Sequence, residues 1–384
     1  MAPALTEPGG IYLHIPFCIR KCAYCDFFSC TDLQRMSGFV KALIQEMHLS
    51  AGVPAGPFDT LYFGGGTPTL LGPERVHLLI DNIKSCFPFL PDAEITLEAN
   101  PGTLTAEDLR IYRRIGVNRL HIGIQSFRDE NLRFLGRIHR AADAVAVIKA
   151  ARRAGFENIG LDLIYGLPDQ APEDWRFDLQ AAASLAPEHL SCYMLSYEPG
   201  TPLDQRRQEK QLRPLPDRKV GDLFGITLNT LADCGYAQYE ISNFSRSPAL
   251  QSRHNRKYWR QVPYLGLGPA AHSYMPPRRY WNARNIDTYI RTLEKGAFPL
   301  EGEELLTQEQ QMMEAVYLGL RQTGGLPIAD FEARFGIDFR KRFEKVVSEL
   351  SDNGWILENG GRCALTPPGM LLLDAIVSCF IEAL

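Results

Sequence analysis

From Gly10 to about Tyr197, short runs rich in apolar and β-branched residues alternate with stretches whose apolar positions recur at helical spacing. This is the pattern of parallel βαβ units. Six runs are predicted as strands: Ile11 to Ile15, Thr60 to Phe63, Glu94 to Ala99, Arg119 to Gln125, Asn158 to Tyr165 and His189 to Tyr197. Helical periodicity lies between them, for example at Ala142, Val145, Ile148 and Lys149 before Gly155 stops the turn spacing. The near-continuous apolar content of the runs fits strands covered on both faces. Six such units fit an open barrel or a doubly wound sheet, and periodicity alone does not choose between them.

After Tyr197 the alternation fades. EPGTPL reads as a turn, Asp217 to Cys234 as a helix, and Ser245 to Pro269 as an irregular segment rich in Arg, Asn and Gly, of a length that is usually functional or disordered. From about Glu303 three short helices are predicted at Leu306 to Arg321, Pro327 to Phe335 and Phe339 to Ser351. Trp355 to Leu357 and Arg362 to Leu365 flank ENGG as a hairpin before a last apolar helix, which together predicts a small winged-helix-like domain. The expected organisation is residues 1–200 as the βα-repeat domain, 201–302 as its extension carrying the irregular segment, and 303–384 as the C-terminal domain.

Charge narrows the partners. Lys and Arg total 41 against 45 Asp and Glu, so a net charge of −4 supplies no general attraction to nucleic acid or anionic lipid, and no nucleic-acid partner is expected. The start, MAPALTEPGG, lacks the basic-then-apolar pattern of an export signal, and no apolar run approaches the roughly 20 residues of a membrane-spanning helix. A soluble, cytoplasmic protein is expected. In that setting the nine cysteines read as reduced thiols or metal ligands rather than a disulfide framework.

Three of the nine, Cys18, Cys22 and Cys25, crowd into the loop HIPFCIRKCAYCDFF directly after the first strand. Neighbouring thiols three or four residues apart can wrap around one small object. Structural zinc takes four protein ligands, commonly as two C-x-x-C pairs, and Cys30, Cys86, Cys192, Cys234, Cys363 and Cys379 form no second pair. A redox dithiol needs only two cysteines, and inert buried thiols do not cluster beside Arg20 and Lys21. The reading that remains is an iron-sulfur cluster with one iron free of cysteine. Cys30, five residues beyond Cys25, is the competing fourth ligand.

This spacing after an IYLHIPF strand resembles the radical S-adenosylmethionine (SAM) superfamily, and the surrounding sequence resembles its coproporphyrinogen-dehydrogenase-like branch, which includes the HemW haem chaperones. The resemblance runs from about Tyr12 to the C-terminus and implies an open (β/α)6 partial barrel. It also implies a 4Fe-4S cluster on Cys18, Cys22 and Cys25 whose free iron binds SAM, an arrangement that in the superfamily yields a 5'-deoxyadenosyl radical. Further motifs fall near the carboxyl ends of the strands, the functional face of parallel barrels. By resemblance, Gly64, Gly65, Gly66 and Thr67 after the second strand contact SAM, as do Tyr12, Tyr24, Glu98, Gln125, Arg137, Asp162 and Ser196. Glycines there let backbone approach a ligand or make a tight turn, and Asp162, in an apolar strand, implies a polar ligand or partner.

Two features separate the relatives. Porphyrinogen-oxidising members carry a further cysteine two residues after the third, where this chain has Phe27, and a longer segment before the first strand, where it has eleven residues before Tyr12. The irregular segment contains HNRKYW, matching the HNxxYW motif of HemW-type chaperones, so His254, Asn255, Tyr258 and Trp259 are the haem-binding candidates. An imidazole ligates iron, aromatic rings cover a porphyrin, and Arg or Lys pairs with propionates. Cys30, His14 and Met194 stay open as iron ligands. The expected function is a haem carrier that uses the cluster and SAM and passes haem to membrane respiratory proteins. Transient membrane association and a homodimer are among the arrangements left open. The alternative is an oxygen-independent coproporphyrinogen III dehydrogenase, and a third reading, modification of RNA or small molecules, is disfavoured for RNA by the mild acidity.

Overall fold

The computed structural model describes residues 7–52 and 56–383, so the first six residues of the stretch read for an export signal lie outside it. Six parallel strands stand side by side in chain order: β1 (Gly9–Ile15), β2 (Phe58–Gly65), β3 (Phe89–Ala99), β4 (Arg119–Gln125), β5 (Ile159–Tyr165) and β6 (His189–Met194). The barrel is not closed. β1 is flanked by β9 (Tyr264–Leu267) and β6 by β8 (Asn243–Ser245), with β7 (Ala237–Gln238) beyond it. On the other side β9 leads into an antiparallel run of β10 (His272–Met275), β11 (Arg278–Asn282) and β12 (Leu300–Leu305). The fold is an α/β open partial barrel, with all six predicted strands found within a few residues of their expected bounds.

One sequence expectation needs correction. The six strands are not apolar on both faces but alternate. Ile11, Leu13, Ile15, Leu61, Phe63, Ile95, Leu97, Leu120, Ile122, Ile159, Leu161 and Leu190 belong to the core under the outer helices. The residues between them point into the barrel, where Tyr12 pairs in register with Tyr62, Glu98 with His121, Gly123 with Asp162, and Asp162 with Ser191. A strand's period of two therefore sorts an apolar outer face from a polar lining. The helices that cover the outer face include Met36–Ser50, Pro73–Cys86, Ala141–Arg153 and Pro172–Ser184.

Beyond β12, helices Gln308–Arg321, Ile328–Phe335 and Phe339–Asp352 precede a hairpin of Ile356–Asn359 and Arg362–Leu365 and a last helix, Leu373–Glu382, in a winged-helix-like arrangement. Phe331, Phe339, Phe343 and Phe380 stack edge and face at its centre. The unit docks on the barrel through the fully buried Glu240, which meets Arg321 at 2.7 Å, and through the Thr323 N–H, which donates to the Tyr239 carbonyl at 3.2 Å. Among the described residues no helix is long and apolar enough to cross a membrane.

Candidate functional site

A cavity of about 800 Å³ opens at the carboxyl ends of the strands, and Cys18, Cys22 and Cys25 lie in its wall together. The loop that carries them is fixed by backbone hydrogen bonds. The Gly66 N–H donates to Ile15 at 2.8 Å, Thr67 to Phe17 at 2.7 Å, and Ala23 to Leu135 at 3.1 Å. Cys30 closes the loop from behind, its N–H donating to Pro16 at 2.6 Å while its carbonyl accepts from Cys18 at 3.0 Å. Its side chain packs against the core and is not part of the cavity lining, unlike the other three thiols.

The glycines of the second strand end serve this docking. A Cβ on Gly64 would stand 2.8 Å from the Tyr12 ring, on Gly65 2.7 Å from the His14 ring, and on Gly66 2.6 Å from the Phe17 carbonyl oxygen. The space that their missing side chains leave is filled by β1 and the cysteine loop, while the backbone of Gly65, Gly66 and Thr67 still borders the cavity. Gly64 does not.

Burial pushes the Cys18 and Cys25 thiols above their ordinary range. Thiolates at these positions therefore need an opposing positive charge or metal. Thr67 Oγ1 lies 3.7 Å from Cys18 Sγ and Arg137 Nη1 3.5 Å from Cys22 Sγ, donors suited to electron-rich sulfur. Among the described residues no three His, Cys, Asp or Glu side chains stand close enough to share a single ion.

Of the eleven residues expected around SAM, all but Gly64 line this cavity. Gln125 ends β4 with φ of 75°, an unusual conformation for a residue with a side chain, and its buried Oε1 has no partner. The Nε of Arg137 is likewise buried without one. Two unpaired polar atoms in one wall are what a polar ligand would satisfy. Glu98 accepts from Tyr62 OH at 2.7 Å and Gly65 N–H at 3.2 Å, yet burial holds its carboxyl at about 7. Asp162 has a protein partner, His121 Nε2 at 2.5 Å, which sequence reasoning missed because only strand register brings the two together.

The HNRKYW segment is not irregular as expected. It forms a helix, Arg253–Trp259, capped by Ser252, whose hydroxyl accepts from the Asn255 N–H at 3.3 Å. His254 points inward, 1% exposed, with Nδ1 at 2.8 Å from Thr60 Oγ1 and Nε2 at 2.8 Å from Tyr258 OH. Burial, with Lys257 nearby, lowers its pKa to about 3. Both ring nitrogens are thus occupied. Of the four candidates only Tyr258 reaches the cavity; Trp259 instead packs on Tyr239 near the C-terminal unit. His14 is similarly saturated, by Tyr12 OH at 3.0 Å and the Phe28 carbonyl at 2.8 Å, whereas Met194 is exposed at the rim.

An open parallel partial barrel that presents three closely spaced thiols from its first loop defines the class: a radical SAM protein. Comparison agrees, since residues 12–182 match the Radical SAM superfamily model and 306–372 the HemN C-terminal domain model. The chain is 35% identical over 376 residues to "Heme chaperone HemW" of Bacillus subtilis, covering 97% of this chain and 99% of that one. It is 38% identical to the protein of the same name from Synechocystis, covering 98% and 93%. The solved structure of Escherichia coli coproporphyrinogen III oxidase (HemN), described as a radical SAM enzyme, superposes with a TM-score of 0.85 at 27% identity, covering 100% of this chain and 92% of that one. Within the superfamily, the chain belongs to the HemW heme chaperone family.

Proposed function

We propose that this chain binds a 4Fe-4S cluster through Cys18, Cys22 and Cys25, binds SAM in the adjoining cavity, and carries haem to membrane respiratory proteins. When bound, such a cluster would offer an iron free of cysteine for SAM and an electron for transfer. The chain's own residues do the rest. Arg137 holds positive charge against Cys22, Glu98 anchors the glycine turn, and Gln125 and Arg137 present the unpaired polar atoms that suit a charged small ligand.

The observation that carries the haem reading is the character of the rim. Phe27, 66% exposed, and Met194, 54% exposed, present apolar surface beside Arg20, Lys21 and Arg284. A flat apolar ring with two carboxylates needs that combination. The near-full-length likeness to proteins named heme chaperones supports it.

The second reading, oxidation of coproporphyrinogen, is favoured by the likeness to the HemN structure. Against it stands Phe27, at the position where the sequence resemblance implies a further cysteine in that activity. One experiment separates them: anaerobically reconstituted protein is titrated with haem, and in parallel incubated with coproporphyrinogen III, SAM and a reductant. A saturable Soret band without protoporphyrinogen formation is expected. Sustained protoporphyrinogen formation would establish the dehydrogenase instead.

A further inference from the structure

Resting on the haem-carrier reading, we propose that His272, at the start of β10, is the axial ligand of the carried haem iron. The chain has eight histidines, and the structure disposes of seven. His14 and His254 have both ring nitrogens hydrogen-bonded within the fold. His121 is tied to Asp162, and His139 and His189 are buried at 4% and 0% exposure away from the cavity. His48 and His77 sit on outer helices, against Cys86 and Asp81. His272 alone is exposed and borders the cavity, and among the described residues its ring nitrogens have no hydrogen-bond partner.

Its surroundings suit a porphyrin. His272 also lines a second cavity of about 510 Å³, and Tyr258 and Tyr264 are shared between the two. The imidazole stacks on Trp281 of β11, with ring centroids 5.5 Å apart and planes within 24°, which orients it. The backbone beneath is fixed: the Asn282 N–H donates to Ala271 at 3.0 Å, and a Cβ on Gly266 would stand 2.0 Å from the His272 carbonyl oxygen. Nearby Arg284 is exposed on the cavity rim and suits a propionate.

This arrangement gives the HNRKYW helix a different task. His254 fixes the hydroxyl of Tyr258, and Tyr258 forms wall in both cavities. His254 is therefore a positioning residue, while His272 touches the iron.

The test is a haemin titration of the full-length, cluster-reconstituted protein, followed by absorption and EPR spectra, for wild type, His272→Ala and His254→Ala. Iron content and circular dichroism confirm that each variant is folded. In His272→Ala the imidazole-ligated signature is expected to vanish and the Kd to weaken about tenfold or more, with the signature restored by added imidazole. In His254→Ala affinity is expected to fall while the signature persists. A His272→Ala spectrum and affinity equal to wild type, or loss of the signature in His254→Ala alone, would overturn the assignment. If wild type itself shows no Soret band, the haem-carrier reading fails with it, a result distinct from either.

Discussion

Arg137 Nη1 lies 3.5 Å from Cys22 Sγ, so the segment after β4 places a buried guanidinium against a sulfur of the loop after β1. Charge-assisted hydrogen bonds to sulfur and nearby charge both tune the potential of an iron-sulfur centre. Arg137→Met should leave the cluster in place but shift its reduction potential negative, because the added electron loses a compensating cation. An EPR-monitored redox titration reads this, and an unchanged potential would show that Arg137 does not face the cluster.

Gly66→Ala should damage the site without unfolding the barrel. Its Cβ would stand 2.6 Å from the Phe17 carbonyl, a backbone atom that cannot swing away. The cysteine loop must move, so iron retained per chain after anaerobic reconstitution should fall well below wild type while the far-ultraviolet circular dichroism is preserved. Full iron content in the variant would mean the loop is not held by this contact.

Glu46 should contribute a fall in stability as pH rises from about 4.5 to about 7, opposite in sign to the buried His14, His139 and His254, whose lowered pKa values favour the folded chain as pH rises toward 6.5. Glu46 is buried, and its carboxyl is held at about 7 against an ordinary 4.5, despite donors from Tyr289, Gly268 and Asn282. A raised acid pKa means the folded chain binds more protons than the unfolded one across that window, so raising pH favours unfolding there. The loss is on the order of 3 kcal/mol from this group. Glu46→Gln should remove this falling contribution, so that the variant gains stability relative to wild type as pH rises from about 4.5 to about 7, and an unaltered pH profile of thermal unfolding would exclude the contribution of Glu46.

Arg321→Met should loosen the junction between barrel and C-terminal unit. Glu240 is fully buried and meets Arg321 at 2.7 Å, so removing the cation strands a carboxylate. Breaking such a pair costs about 3 kcal/mol. Urea unfolding should show this loss, and adding Glu240→Gln should recover part of it. Equal stability of Arg321→Met and wild type would mean the pair contributes nothing net.

Much of the scaffold was legible because strands and outer helices carry strong apolar periodicity, and β4 matches its expected bounds from Arg119 to Gln125. The cysteine loop was legible because its three thiols are neighbours in sequence. What escaped notice depends on register or on short elements. His121 meets Asp162 only because β4 and β5 align Gly123 with Asp162, which no local pattern records. The alternation of polar residues along the strands was visible, as in Tyr12, His14 and Glu98, but was outweighed by their apolar content. The helix Arg253–Trp259 has only seven residues, RHNRKYW, with no apolar periodicity; its one local signal was Ser252 at the cap. The surroundings of His272 carry no local signal because β9 to β12 are short and their aromatic cluster is assembled by antiparallel pairing, which sets His272 opposite Trp281.

The most direct test of three thiols holding a cluster with a vacant iron is the EPR spectrum of anaerobically reconstituted, reduced protein with and without SAM. About four irons per chain and a cluster signal that changes on adding SAM are expected, with the signal lost in each of Cys18→Ala, Cys22→Ala and Cys25→Ala and kept in Cys30→Ala. A signal indifferent to SAM, or one that survives loss of Cys18, Cys22 or Cys25 but not of Cys30, would contradict the assignment.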